Sequence, residues 1–421
     1  MKTLTESLKD FFYKKQYIRD VAISTNVFEG GASGHMAHPI DFEDFTANDL
    51  KQLIKDIFSG KIEDVTEKID GVNIQATMNK SGEVVFIRNQ GDLNSEKGGM
   101  SIEDMANKWK DRPSTAETFV SAGKIISQVF EKIGTKFFNP DDETRVIANC
   151  ECVIEGVTNI MPYGSAQVDF HDLWIYKKSN EKWINTEVTK SGLDKIDKAC
   201  EGIDNAQLTP KLIIEITEKS NELAEKYCKE IDKLFGGKDT FTINEYKYDR
   251  FFKYISDKYP WILNGRHDAL YARWFNDDKS VNLRVLKQVY ADNVDELMAL
   301  DKKGYKKIVS DVIEPLDLLF LNIGNDVIKL CKGLLNGSKS DSVIKRLQAD
   351  MKEIVADVKA NGTIETQDKL VKQLNRLEQL GGEDSINSTE GIVFRYKGKL
   401  MKMTGSFAPV NQILGSIKFS R

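Results

Sequence analysis

The run Val65–Gln75, VTEKIDGVNIQ, sets a lysine, two acids and a glycine in one short connection between two strand-like segments. Lys68 follows Glu67 directly and stands two residues before Asp70-Gly71. A solvated surface lysine needs no such setting, whereas a lysine that bonds covalently to an electrophile does. Such an amine must be neutral in some fraction, so desolvation or nearby positive charge has to lower its pKa. K-x-D-G alone is a weak signal, since ordinary residue frequencies give about a one-in-ten chance of meeting it in a chain of this length. Its weight depends on the other groups that the fold can bring to the same place.

Strand alternation selects those groups. In VIANCECVI, residues 146–154, Ala148, Cys150, Cys152 and Ile154 share one apolar face. Asn149 and Glu151 point the opposite way, where a polar pocket would lie. Glu155, near the strand end beside Gly156, is the poorer candidate. In KLMKMTG, residues 399–405, Met401 and Met403 share a face suited to a core, and Lys402 and Thr404 share the other. Cys150 and Cys152 have no second pair or nearby histidine to complete a zinc site, so buried strand cysteines are expected. Of the four histidines, only His35 and His38, in HMAH, approach a ligand spacing.

Several elements must position these residues. A length of 421 residues implies two or three structural units, and 40% hydrophobic with 30% charged residues is the profile of a soluble globular protein. No run of about 18 apolar residues occurs, so no membrane span is expected. Five scattered cysteines favour reduced thiols and a cytoplasmic setting. Residues 1–20 read as an amphipathic helix rather than a signal peptide, and 26–42 as a glycine-rich loop. A helix then starts at the capping box of Thr46 and Asp49 and stops at Gly60. Strands are expected at 63–68, 72–78, 83–89, 145–154 and 170–177, with a helix around 115–133. From about residue 192 the pattern turns helical, including 342–360, and Pro315 should kink or divide one long helix. Strand character returns at 388–405. The fold class is therefore α+β: a lead-in over 1–62, a discontinuous domain at 63–190 and 384–421, and an all-helical insertion at 191–383.

Taken in order, EKIDG, FIRNQG (86–91), RVIANCECVIEG (145–156), DFHDLWIY (169–176), EGIVF (390–394) and LMKMTG (400–405) form a series. It resembles the ATP-dependent polynucleotide ligase and nucleotidyltransferase superfamily, which includes DNA ligases, RNA ligases and mRNA capping enzymes. The resemblance covers 63–178 and 388–405, and SGHMAHPIDF ahead of it resembles phage-encoded members, implying a viral source. The resemblance implies an adenylylation domain of antiparallel sheets in which Lys68 attacks the α-phosphate of ATP and expels pyrophosphate. Lys402 would be the second lysine on that phosphate, with Mg²⁺ or Mn²⁺ held by Glu151 and Glu390. Arg88 would read the ribose and a 5′-phosphate, and Glu67 the base edge. Tyr176 or Trp174 would stack on adenine, though either could be core. Asp70 would orient the loop after Lys68, and Gly71 would permit close phosphate approach.

The activity implied is ligation: lysyl-AMP passes AMP to a 5′-phosphate, and a 3′-hydroxyl displaces it to seal the strand. The partner is nicked or single-stranded DNA or RNA, the sugar being left open, and a cytoplasmic monomer is expected, in the host if viral. The chain also departs from the family. The usual K-x-K reads Lys402-Met403-Thr404, so a further positive contact would come from Lys399 or Lys418. Lys177 stands where an aspartate is usual. Only 16 residues follow Gly405, so no C-terminal OB barrel is expected and the insertion would supply any nucleic-acid clamp. Residues 246–275 interleave Arg250, Lys253, Lys258, Arg266 and Arg273 with aromatics, a pattern compatible with nucleic-acid stacking but favouring ordinary core. The net charge of −5 gives no global attraction to nucleic acid. The alternatives are a capping-type guanylyltransferase and a non-catalytic phage nucleic-acid-binding protein with a decayed nucleotide pocket.

Overall fold

The computed structural model describes residues 36–111, 113–153, 167–179, 182–278, 280–334, 368–387 and 389–418, with Lys345, Gln348 and Met351. The helix expected over 1–20, most of the glycine-rich loop, nearly all of 342–360, and Ile154, Glu155 and Gly156 lie outside the described residues.

Local sequence starts the described chain. Asp49 N–H donates to Thr46 Oγ1 and Thr46 N–H to Asp49 Oδ2, both at 3.1 Å, so the capping box opens α1 (Ala47–Phe58). Gly60, at φ 67°, closes it in the left-handed conformation that glycine tolerates. There follow β1 (Glu63–Lys68), β2 (Val72–Met78), β3 (Val84–Ile87), α2 (Pro113–Ile133), β4 (Thr144–Val153), β5 (Gln167–Ser179) and β6 (Lys182–Thr189). Next come α3 (Leu193–Cys200), β7 (Ala206–Leu208), β8 (Ile213–Ile214), α4 (Glu218–Leu234), α5 (Ile243–Lys258), α6 (His267–Phe275), α7 (Tyr305–Leu330) and β9 (Cys331–Lys332). The last elements are α8 (Asp368–Gln379), β10 (Gly391–Tyr396), β11 (Lys399–Thr404) and α9 (Phe407–Lys418).

The architecture is mixed α and β with antiparallel sheets. The larger sheet runs β3-β2-β4-β5-β6, with β7 added in parallel to β5. The smaller sheet runs β1-β10-β11, and it joins the two ends of the described chain: Lys68 pairs with Gly391, and Val393 with Lys402. A short third pair is β8-β9. Alternation then sorts the side chains. Ala148, Cys150 and Cys152 enter one core with Val72, Ile74, Phe119, Ile126 and Phe130 of β2 and α2, and with Leu193 and Ile196 of α3. Val65, Ile392, Phe394, Met401 and Met403 enter a second core with α1, α4 and α7.

Two expectations are corrected. The stretch 191–383 is not all-helical, because it contains β7, β8 and β9. The reason lies in β5: β6 pairs with it only from Leu173 onward, which leaves the edge at Val168–Phe170 open, and Ala206–Leu208 satisfies it. Of the two outcomes expected at Pro315, a kink or a division, division does not occur, since α7 runs unbroken through it. One missing hydrogen bond and a ring clash cost about 3 kcal/mol in an isolated helix. Here Val312, Leu316, Leu319 and Phe320 are buried around that point and hold the helix in place.

The aromatic and basic segment 246–275 is core. Phe251, Ile255, Leu270, Tyr271 and Trp274 of α5 and α6 bury against Ile308 and Val312 of α7. Two of its cations are used internally: Arg250 Nε donates to the Val312 carbonyl at 2.9 Å, and Arg273 grips Asp301 through Nε at 2.6 Å and Nη2 at 2.9 Å, whereas Lys253, Lys258 and Arg266 are exposed. All five cysteines are buried free thiols. Among the described residues no helix is long and apolar enough to cross a membrane.

Close backbone approach fixes how α7 lies on the smaller sheet. A Cβ at Gly324 would meet the Thr404 carbonyl oxygen well inside van der Waals contact. Gly324→Ala is therefore expected to destabilise the protein by about 1–3 kcal/mol through overpacking, read as a lower urea midpoint at unchanged slope.

Candidate active site

The two sheets face each other across a cleft of about 550 Å³, counted to its open mouth. Thr66, Lys68, Val393 and Leu400 line it from the smaller sheet, and Asn73, Asn149, Glu151, His171, Asp172 and Lys190 line the opposing side. These four residues lie on the face opposite the helical core, as period-two alternation requires. Lys402, opposite Val393 and two positions from Leu400, shares that face.

Lys68 ends β1 and its ammonium is ion-paired with Glu390, the residue just ahead of β10. The two side chains are 22% and 16% exposed, so little water screens the pair. Thr389 Oγ1 donates to the Lys68 carbonyl at 3.4 Å and ties the segment before Glu390 to β1. From the larger sheet, Asn73 Nδ2 donates to Asn149 Oδ1 at 2.9 Å and to Glu151 Oε2 at 3.4 Å, which orients the carboxylate. Burial pushes Glu151 up to about 8, against the pull of Lys68 and with the help of Glu390 and Asp70. Burial alone would lower the Lys68 amine, but Glu390, Glu151 and Asp70 outweigh it and hold the group above the ordinary lysine value. This is the reverse of the depression that nucleophilic attack requires. Its cause is that several carboxylates converge on a single amine.

Lys402 is held beside this group through its backbone, whose N–H donates to the Ala37 carbonyl at 3.0 Å. His38, next in sequence, is lowered to about 4 by burial and by the positive charges of Lys402 and Lys68, with Asp41 opposing. The fold thus brings together Lys68, Asp70, Glu151 and Glu390, whereas Lys402 does not line the cleft and is linked to Lys68 through His38, which feels both charges. Among the described residues no cluster of three or more histidine, cysteine or acidic side chains is arranged to hold a metal by itself. Two oriented carboxylates do suit an ion such as Mg²⁺, which keeps waters and takes its remaining ligands from phosphates.

Other expected site residues fall elsewhere. Tyr176 is buried against Ile87, Leu93 and Ile147, with Trp174 and Trp183 packed beside it, and neither Tyr176 nor Trp174 lines the cleft. Arg88 is not among the lining residues, but it donates through Nη1 to the carbonyl of the lining Asn73 and lies within electrostatic reach of Glu151, with the Phe119 ring centroid 5.8 Å away. Glu67 contributes to the wall, but it is 1% exposed and lies within electrostatic reach of the Cys331 thiol. Gly71 is demanded by the sheet: a Cβ there would stand 2.8 Å from the Cys152 carbonyl oxygen and 2.9 Å from Glu151 Cγ. Lys399 is turned to the other face, 3.3 Å from Asp44 and over the Phe42 and Phe45 rings, so it is not the missing positive contact. The Lys418 side chain lies outside the described residues.

Sequence reasoning missed His171, Asp172 and Lys190. A signal was present in DFHDLWIY. Phe170 and Leu173 both enter the core although they are three apart, which a regular strand does not allow. The β4–β5 register shifts at this point, and the resulting bulge turns His171 and Asp172 toward the cleft. His171 Nδ1 bonds Thr209 Oγ1 at 2.7 Å. Comparison with known proteins returned nothing similar: no protein-family model, no curated protein and no solved structure matches the chain.

Burial, with Lys190 and Lys68 nearby, lowers His171 to about 3, so the folded state holds it neutral. The unfolded chain takes up that proton near pH 6.5 and the folded chain only near pH 3, so stability falls as pH drops through this window. The expected slope from this group is at most about 1.4 kcal/mol per pH unit. Urea unfolding of wild type and His171→Gln at pH 7 and pH 4.5 checks it: the loss on acidification should be smaller in the variant.

Proposed function

We propose that the protein is an ATP-dependent polynucleotide ligase that works through a lysyl-AMP at Lys68. The observation that carries the reading is the convergence on one largely buried amine of Glu390, from late in the sequence, and Glu151, from the facing sheet, with Lys402 on β11, one strand beyond β10. In the first step the Lys68 nitrogen bonds to the α-phosphorus of ATP as the bond to the pyrophosphate oxygen breaks. In the second, an oxygen of a 5′-phosphate takes the adenylate and frees the lysine. In the third, a 3′-hydroxyl attacks that 5′-phosphorus and AMP leaves.

The side chains have distinct work in this scheme. Glu390 pins the ammonium at the mouth of the loop while the site waits for substrate, and Asp70 adds to the same field. Glu151 and Glu390 would together hold a divalent ion, which when bound supplies positive charge to the phosphates. Drawing those carboxylates off Lys68 removes the two strongest influences that keep its amine protonated. Lys402 then offers a cation to the charge developing on the attacked phosphate.

The test is covalent labelling of the full chain by α-labelled ATP, and separately GTP, with Mg²⁺. Label from ATP and not from GTP is expected, with at least a hundredfold loss in Lys68→Ala at unchanged unfolding midpoint. Label from GTP alone would move the activity to the capping type, and no label from either with retained oligonucleotide binding would leave a binding protein. Sealing of nicks with ribose or deoxyribose on each side then defines the acceptor.

A further inference from the structure

Lys190 lies just past β6 and lines the same cleft as Lys68, from the opposite side. Its side chain is 24% exposed, and its ammonium stands 3.8 Å from Asp64, beyond hydrogen-bond range. That carboxylate is shared: Lys211 also stands 3.8 Å from it, and Arg395 Nε 3.5 Å. The other acid in the field of Lys190 is Asp172. His171 is within reach of both Lys190 and Lys68 and contributes no charge of its own near neutral pH. Lys190 therefore faces the cleft with its ion-pair carboxylate, Asp64, beyond hydrogen-bond range and shared with two other cations. Lys399, the rival cation, is committed to Asp44 on the far face of the smaller sheet.

We propose that Lys190 is a second phosphate-binding cation of the cleft, contacting a phosphate other than the one Lys68 attacks. The inference rests on the nucleotidyl-transfer reading above. The phosphate is either a terminal one of the nucleoside triphosphate or the 5′-phosphate of a strand end, chemically the same ligand from two sources. A charged hydrogen bond to phosphate also explains why this lysine, unlike Lys51 with its two 2.6 Å partners, lacks a tight carboxylate.

The experiment measures KM and kcat for self-labelling with ATP, and equilibrium binding of inorganic pyrophosphate and of 5′-phosphorylated and 5′-hydroxyl oligonucleotides. Lys190→Ala and Lys190→Gln should weaken one phosphate ligand by about tenfold or more with kcat changed less than about threefold, and Lys190→Arg should restore it. Lys399→Ala should match wild type. Movement in KM for ATP and in pyrophosphate binding assigns the triphosphate, whereas loss of the preference for a 5′-phosphate over a 5′-hydroxyl assigns the strand end. Wild-type labelling with no change in either Lys190 variant overturns this subsite and leaves the chemistry standing. Lys190-dependent pyrophosphate binding without labelling does the opposite, and absence of both removes both.

Discussion

The pairing of β1 with β10 is the constraint on which the rest depends. It sets Lys68 against Gly391 and so brings Glu390 to the lysine from the far end of the chain. Closing so long a loop costs conformational entropy, and a single ion pair cannot supply it. The compensation comes from the other face of the same small sheet, where Ile392, Phe394, Met401 and Met403 bury against α1, α4 and α7. Glycines set the spacing of these layers: a side chain at Gly391 would strike the Met403 carbonyl, and one at Gly324 the Thr404 carbonyl. The helices between the two halves therefore serve as the floor on which the site-bearing strands lie.

Electrostatics on the cleft face follow from that geometry. Bringing Glu390, Glu151 and Asp70 toward one amine in a weakly hydrated space raises Lys68 and Glu151 together, a frustrated arrangement that a divalent cation and phosphates would relieve. On the facing side stands Lys190, whose carboxylate neighbour Asp64 is shared with Lys211 and Arg395. An acidic group around Lys68 and the cation of Lys190 thus share one cleft. The neutral His171 and the amides of Asn73 and Asn149 separate the two without adding charge.

Period-two alternation made much of this legible without coordinates. It put Glu151 opposite a cysteine-lined face and Lys402 opposite two buried methionines, because a strand at the edge of a core leaves each side chain only two directions. The capping box of Thr46 and Asp49 and the stop at Gly60 were equally local, since a handful of neighbouring atoms satisfies them. Tertiary structure alone decided the rest. It showed that Tyr176 and Trp174 are packed away from the cleft, and that a bulge in β5 turns His171 and Asp172 inward. It also showed that Ala206–Leu208 must close an open edge and that α7 can carry Pro315. Each of these outcomes is set by partners distant in the chain, and a residue's own neighbours in sequence do not specify which surface will press against it.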